Sequence, residues 1–337
     1  MSLTRLPLNR LFSALAILLV AMLATDRAAA CTVSSTSTNL GSVSSYTAAS
    51  TAQQGSGSAG LQCDVTLALL ATHYVAFRVD ASTFLLTGPG GKTVPFVASL
   101  TQNGTPLTTG VLQNLSSTTL LTLFGGTNNS IPIYFRTTPT AALPAGTYTG
   151  FLDVRWYYSV CSVGVAVCLS YSSSPGLVRP GLGTAINWGT GTAVRITVTL
   201  TVQNDCIITA PAAAFGSAPL VGSFNPITRT ILIRCSAGTA YTVGLDDGSN
   251  ASGGVRRMRA GTTANYLQYE IYKTAASTER WGATGTARRA SATADANAGV
   301  YDSLTSQSYT YRAAILTGQT TPPGGAYTDT IRIDVAF

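Results

Sequence analysis

The residues best placed for covalent chemistry are six cysteines, Cys31, Cys63, Cys161, Cys168, Cys206 and Cys235. An even count suits disulfides formed in an oxidising compartment. Spacing suggests Cys31–Cys63, Cys161–Cys168 and Cys206–Cys235, one of the fifteen ways of pairing six cysteines. Other chemistry is thin. The single histidine, His73, excludes a multi-histidine metal site and most histidine-based triads, and reads as a packing or surface residue. No HExxH, GxSxG, Walker A or strand-linked GxGxxG motif is present. Asp246-Asp247 with Glu270 or Glu279 could supply a glycosidase-like carboxylate pair. Nothing brings these residues together, and two aspartates before Gly248 read as a turn. The chain is therefore expected to be neither an enzyme nor a cofactor carrier.

Apolar contact is the second chemistry the residues could perform. Three connections are richer in large aliphatics than loops normally are. One holds Leu69 and Leu70. The next, 101–129, holds Leu120, Leu121 and Phe124. The third, 158–192, holds Val163, Val165 and Val167 between two near cysteines, then Leu177, Val178 and Trp188. Exposed together, they would form an adhesive hydrophobic patch stapled by Cys161–Cys168. Two other readings compete: core strands, and sugar binding through Trp188, Tyr157, Tyr158 and neighbouring asparagines.

The elements that must position these residues follow from composition. The chain has 337 residues, of which 10% are charged. Thr, Val and Tyr favour strands and Gly favours turns, so an all-β chain of two domains is expected. Residues 1–30 read as a secretory signal: basic Arg5 and Arg10, an apolar stretch over 11–23, and Ala28-Ala29-Ala30 before Cys31. A lipid-anchored Cys31 is the rival reading, and it leaves an odd number of cysteines to pair. Without the signal the net charge falls from +7 to +5, with basic residues mostly isolated. That is too mild for nucleic-acid binding. Arg256, Arg257 and Arg259 form the one basic run and read as a solvated face.

An internal repeat organises the rest. Cys31 is followed ten residues later by Gly41-Ser42, and Cys206 ten residues later by Gly216-Ser217. Each copy has a second cysteine about 30 residues on, and each ends near a Gly-Thr-Tyr-like segment, 145–150 and 324–329. The expected domains are 31–205 and 206–337. In the second copy, strands are expected over 228–235, 241–245, 266–272, 308–316 and 326–337. In the last of these, Ile331, Ile333, Val335 and Phe337 share one face. The first copy runs on for about 50 residues after its Gly-Thr-Tyr strand and closes with an alternating strand, 194–202. The second copy has nothing equivalent after Phe337. It should therefore lack its final strand and present a groove edged by Ile331, Ile333, Val335 and Phe337, to be filled by a strand from another chain.

The second copy resembles the spore coat protein U domain. The resemblance rests on Cys235, Tyr241-Thr242-Val243, Arg256-Arg257-Met258, the segment 266–272, Trp281-Gly282 and Gly325-Ala326-Tyr327-Thr328-Asp329-Thr330. The first copy matches only in its cysteines and Gly-Thr-Tyr strand. The resemblance implies immunoglobulin-like sandwiches, the C-terminal one incomplete, as in the two-domain tip adhesin of archaic chaperone–usher pili. It implies a periplasmic chaperone that lends a strand, an outer-membrane usher, an adjacent pilin that donates the lasting strand, and attachment of hydrophobic loops to abiotic or host surfaces in biofilm formation. The expected destination is the pilus tip at the cell surface, reached through the periplasm. With no extension before Cys31, the chain would receive a strand and give none. A secreted coat-like structural protein and a lectin-like tip are the alternatives.

Overall fold

The computed structural model describes residues 31–63, 72–118, 120–164 and 168–337. The first half holds strands β1 (Cys31–Val33), β2 (Thr36–Ser44), β3 (Gln54–Cys63), β4 (Tyr74–Ala81), β5 (Leu85–Thr87), β6 (Thr93–Ser99), β7 (Leu112–Asn114), β8 (Ser130–Thr137), β9 (Gly146–Gly164), β10 (Cys168–Ser173) and β11 (Thr192–Gln203). Two short helices, α1 (Ser45–Ser50) and α2 (Leu120–Leu123), interrupt them. The second half holds β12 (Cys206–Thr209), β13 (Ile227–Cys235), β14 (Thr242–Leu245), β15 (Arg256–Ala260), β16 (Tyr266–Tyr272), β17 (Arg289–Ala290), β18 (Gln307–Ile315), β19 (Tyr327–Thr328) and β20 (Ile333–Ala336).

The protein is all-β in two units, as the composition predicts. In the first, one sheet curls on itself in the order β1-β3-β8-β6-β5-β9-β11-β2, because β5 pairs with β6 and also touches β9 at Thr87–Thr149. Alternating residues of β4, β8, β9 and β11 fill the space it encloses, with Phe77 tilted against Trp156 at 4.8 Å. The second unit has separate sheets, β12-β13-β18-β16-β15-β19 and β17-β14-β20, around Trp281, Tyr309 and Tyr311. All three disulfides pair as the spacing suggests. Cys31–Cys63 and Cys206–Cys235 occupy the same place in the two copies, joining the first strand to its neighbour with Cα atoms 4.0 Å apart.

Two expectations change. The strand expected over 326–337 is two strands on different sheets, β19 on β15 and β20 on β14. The chain crosses between sheets because side chains hold it on the way. Asp329 accepts from the Tyr269 hydroxyl (2.7 Å), and Asp246 accepts from the Arg332 amide (2.9 Å). The basic run is not a solvated face: Arg256 is fully buried, and alternation along β15 turns it inward.

The units join between Gln203 and Cys206. Ser45 meets Ser236 (Oγ–Oγ 2.6 Å), the Tyr46 hydroxyl donates to the Arg234 carbonyl (2.8 Å), and Pro144 bridges to Ala237.

Candidate functional site

The first candidate site emerges when the two copies are laid on one another. In the first, β11 runs antiparallel to β9 from Thr192–Trp156 to Val202–Gly146, and parallel to β2 from Ile196–Thr36 to Gln203–Ser44. It buries Val194, Ile196, Val198, Leu200 and Val202. In the second copy, β12 corresponds to β1, the segment 210–215 to β2, and β20 to β9. Among the described residues no strand lies between 210–215 and β20, whose sole sheet neighbour is β14. A groove of about 650 Å³ takes that place. Ala210 to Phe215 form one wall, Ile331 and Ile333 the other, and Leu245, Met258, Ile271 and Tyr311 are among the floor residues. Phe215 meets Tyr269 edge-on at 6.1 Å. Burial, and then the Asp329 carboxylate, push the Tyr269 phenol well up, so it stays a donor at the groove's rim.

Of the four residues expected at this edge, Ile331, Ile333 and Val335 pack half-buried against the second core. Phe337 is 50% exposed, with its ring 6.4 Å from Tyr241. The floor residues were not legible as a site in sequence. They are ordinary inward positions of strands, and no local motif separates them from the residues of a closed core.

The second candidate site is the end of the first unit away from the junction. β9 starts beside the junction at Gly146 and runs 19 residues to Gly164, roughly 60 Å of extended chain. Its distal half pairs with β10 in a hairpin closed by Cys161–Cys168. The loop 174–191 springs from the same level, where the Ser174 amide donates to the Tyr158 carbonyl (2.8 Å). Arg179 fastens this loop. It donates to the Thr72 carbonyl (2.9 Å) and to Ser159 Oγ (3.1 Å), and its guanidinium stacks 3.7 Å over the Tyr171 ring. His73 shares a hydrogen bond with the Thr118 carbonyl (2.9 Å), so the connection before β8 reaches the same end. The described parts of the three connections, at Thr72 and His73, Thr118 and Arg179, are therefore tied together.

Their apolar residues divide. Val178 is 60% exposed, while Leu177 and Trp188 are half-buried, Trp188 lying edge-on to Tyr157 at 6.4 Å. Leu120 and Leu121 lie in α2 and Val163 in β9. Leu69, Leu70, Val165 and Val167 lie outside the described residues. Phe124 corrects the reading of an exposed loop: it is buried in the first core, where it closes the barrel beside Leu123. Tyr157 and Tyr158 are likewise buried, which removes them from a sugar-binding surface. Leu182 was missed. It is fully exposed between Gly181 and Gly183, and Gly183 has φ +76°. A lone leucine at a Pro-Gly-Leu-Gly turn was the available signal.

The acidic residues considered for acid–base work are committed elsewhere. Glu270 pairs with buried Arg256 (2.5 Å) and Arg280 (3.4 Å), Asp247 with Arg280, and Glu279 with Lys273. Asp246 closes the expected turn by accepting from the Gly248 amide (3.0 Å). Among the described residues no group of three or more His, Cys, Asp or Glu side chains could hold a metal, and no helix is long and apolar enough to cross a membrane.

The sequence model of the Spore Coat Protein U domain matches residues 16–155 and 192–334. The chain belongs to that family. The first copy matches over far more than its cysteines and Gly-Thr-Tyr strand, and the second match begins at the first residue of β11. Comparison with curated proteins finds no match. Among solved structures, a chain of the CsuC–CsuE chaperone–tip adhesion subunit pre-assembly complex, from archaic chaperone-usher Csu pili of Acinetobacter baumannii, is 30% identical with a TM-score of 0.68. The alignment covers 91% of this chain and all of that one. CfaE, the adhesive subunit of CFA/I fimbria of enterotoxigenic Escherichia coli, aligns at 10% identity and a TM-score of 0.29, over 90% of this chain and 93% of its own. The CupB6 tip adhesin from Pseudomonas aeruginosa aligns at 9% and 0.27, over 85% of each.

Proposed function

We propose that this chain is the tip adhesin of an archaic chaperone–usher pilus. Its second unit is completed by a strand from another subunit, and its first unit carries the adhesive surface. The observation that carries this reading is the apolar groove between 210–215 and β20, at the place β11 fills in the first unit. Free backbone groups along β20 and half-covered Ile331 and Ile333 are what an incoming strand would satisfy. Burying four or five of its apolar side chains contributes roughly 6–15 kcal/mol before entropy, as much as a domain's whole stability. A periplasmic chaperone fills the groove first, an outer-membrane usher receives the complex, and an adjacent pilin supplies the lasting strand.

The test is to append a linker and a copy of residues 192–203 after Phe337. The melting transition of the second unit should rise by about 10 °C or more, and periplasmic yield should rise with it. No gain, with that unit already stable, would favour a self-contained secreted coat protein.

Adhesion in this reading is hydrophobic burial by the distal loops, with Val178 and Leu182 as the exposed contacts. Replacing both by Asp should cut retention on polystyrene about tenfold or more and leave the melting temperature unchanged. Retention that is unaffected would move the adhesive contact elsewhere.

A further inference from the structure

A concavity of about 280 Å³ opens on the flank of the first unit, lined by none of the residues named at the two sites described above. Its construction follows from cross-strand register. On the outer face of β8, Tyr134 stands opposite Ser56 of β3 and Ser99 of β6, and Arg136 opposite Gln54 and Val97. Two serines beside a tyrosine leave a trough that larger neighbours would fill. The trough gains a wall from the turn after β6, which the Gly104 amide closes onto the Thr101 carbonyl (2.9 Å). Asn103 takes φ +55° there, and Gln102 and Asn103 both line the cavity.

Ser99 Oγ donates to the Thr101 carbonyl (2.7 Å), but most polar side chains of this trough have no partner among the described residues. The other described arginines of the first unit are engaged: Arg78 and Arg155 by Asp80, Arg179 by Ser159 and Tyr171, Arg195 by Asp153. Among the described residues the Arg136 side chain makes no hydrogen bond, ion pair or ring contact, and no carboxylate lines the cavity. The side chains of Gln54, Gln102 and Asn103 and the Tyr134 hydroxyl are also uncommitted. An unpaired guanidinium is suited to a two-pronged bond with a carboxylate. Planar amides both donate to and accept from hydroxyls. A half-buried tyrosine offers an amphipathic face to the C–H side of a ring. The volume is at the lower edge of ligand-pocket sizes, enough for one sugar ring.

We propose that this flank is a binding site for an acidic saccharide, in which Arg136 takes the carboxylate of a uronic-acid unit, Tyr134 packs on its ring, and the three amides take its hydroxyls. The site is separate from the hydrophobic distal end and stands whether or not that end is adhesive.

The test is titration of the purified full chain with trigalacturonate, followed by calorimetry, with the fully methyl-esterified trimer as the uncharged control. Saturable binding is expected below about 10 mM, with the ester weaker about tenfold or more. Arg136→Ala should weaken the acid trimer about tenfold or more and leave the ester unchanged, and Arg136→Lys should restore part of the loss. Tyr134→Ala should weaken both ligands, and Tyr134→Phe neither. These positions face outward, so melting temperatures should not move. Absence of saturation, equal affinity for acid and ester, or an Arg136→Ala variant that binds the acid like the parent would each overturn the assignment.

Discussion

The two halves of the molecule start from the same strand plan and finish it differently. Each opens with a short strand disulfide-bonded to its neighbour, then crosses to the facing sheet. In the first half the crossing strand β2 finds β11 beside it, in parallel register over residues 196–203. In the second half the segment 210–215 lines an open groove. What differs is the address of one strand. β11 immediately precedes the second copy in sequence but folds into the first, so the first half is closed by its own chain and the second is left with an open groove. A single strand is enough to separate a closed sandwich from an open one built on the same plan.

The sharpest way to break this comparison is to put the same charge on a core-facing strand position of each half. Val198 on β11 is fully buried, and Val335 on β20 half-buried. Val198→Asp should cost more than about 4 kcal/mol, because a carboxylate would be forced into a dry core, and the chain should disappear from the soluble fraction. Val335→Asp should cost about 1 kcal/mol in the unpartnered chain and roughly 2–3 kcal/mol more once a strand is appended to cover it. Chemical denaturation of both variants, with and without the appended strand, reads the difference. Equal damage at the two positions without the strand would mean that the second half is already closed.

A smaller effect sharpens the comparison through electrostatics. The first half holds ten charged residues from Cys31 to Asp205, and the second holds nineteen. The second half uses its charges as internal ties. Arg256 donates to the carbonyls of Asp246 (2.9 Å) and Trp281 (2.7 Å) while pairing with Glu270. Arg256→Ala strands that carboxylate and those carbonyls, so a loss of about 3–5 kcal/mol is expected in the second transition of a urea titration. Arg195→Ala in the first half removes a surface pair with Asp153 and should cost less than about 1 kcal/mol.

Much of this design was legible in residue order. Period-2 alternation marked β11, β16 and β18 closely, because strands with one buried face must alternate. The cysteine frame marked the equivalent first strands. The break between β19 and β20 was not legible, since it depends on Tyr269 and Asp246, far away in sequence, capturing Asp329 and the Arg332 amide. The distal end was half legible. Apolar residues in long connections serve two purposes that sequence does not separate. Phe124 plugs the end of the core, whereas Val178 and Leu182 face outward. The flank trough was invisible, because it arises from what stands across from Tyr134 and Arg136 on neighbouring strands rather than from any local motif.

The mildest prediction concerns acid. Burial pushes the Asp295 carboxyl up, but the Arg289 guanidinium (2.8 Å) and the Thr310 amide outweigh it, and its pKa ends below the ordinary value. A carboxylate depressed on folding contributes stability that is fully present above its unfolded pKa, about 4, and is lost as pH falls through the folded value. The second half should therefore melt at a lower temperature at about pH 3 than at pH 7. Asp295→Asn should lower the pH 7 transition and flatten its fall toward acid. Asp153 in the first half is also depressed, by its bond to Arg195, but that pair lies at the surface, where salt and solvent weaken it. Its transition should move less over the same interval. If the two halves lost stability in parallel, or Asp295→Asn kept the parent's slope, the added charges of the second half would be decoration on its surface rather than ties within it.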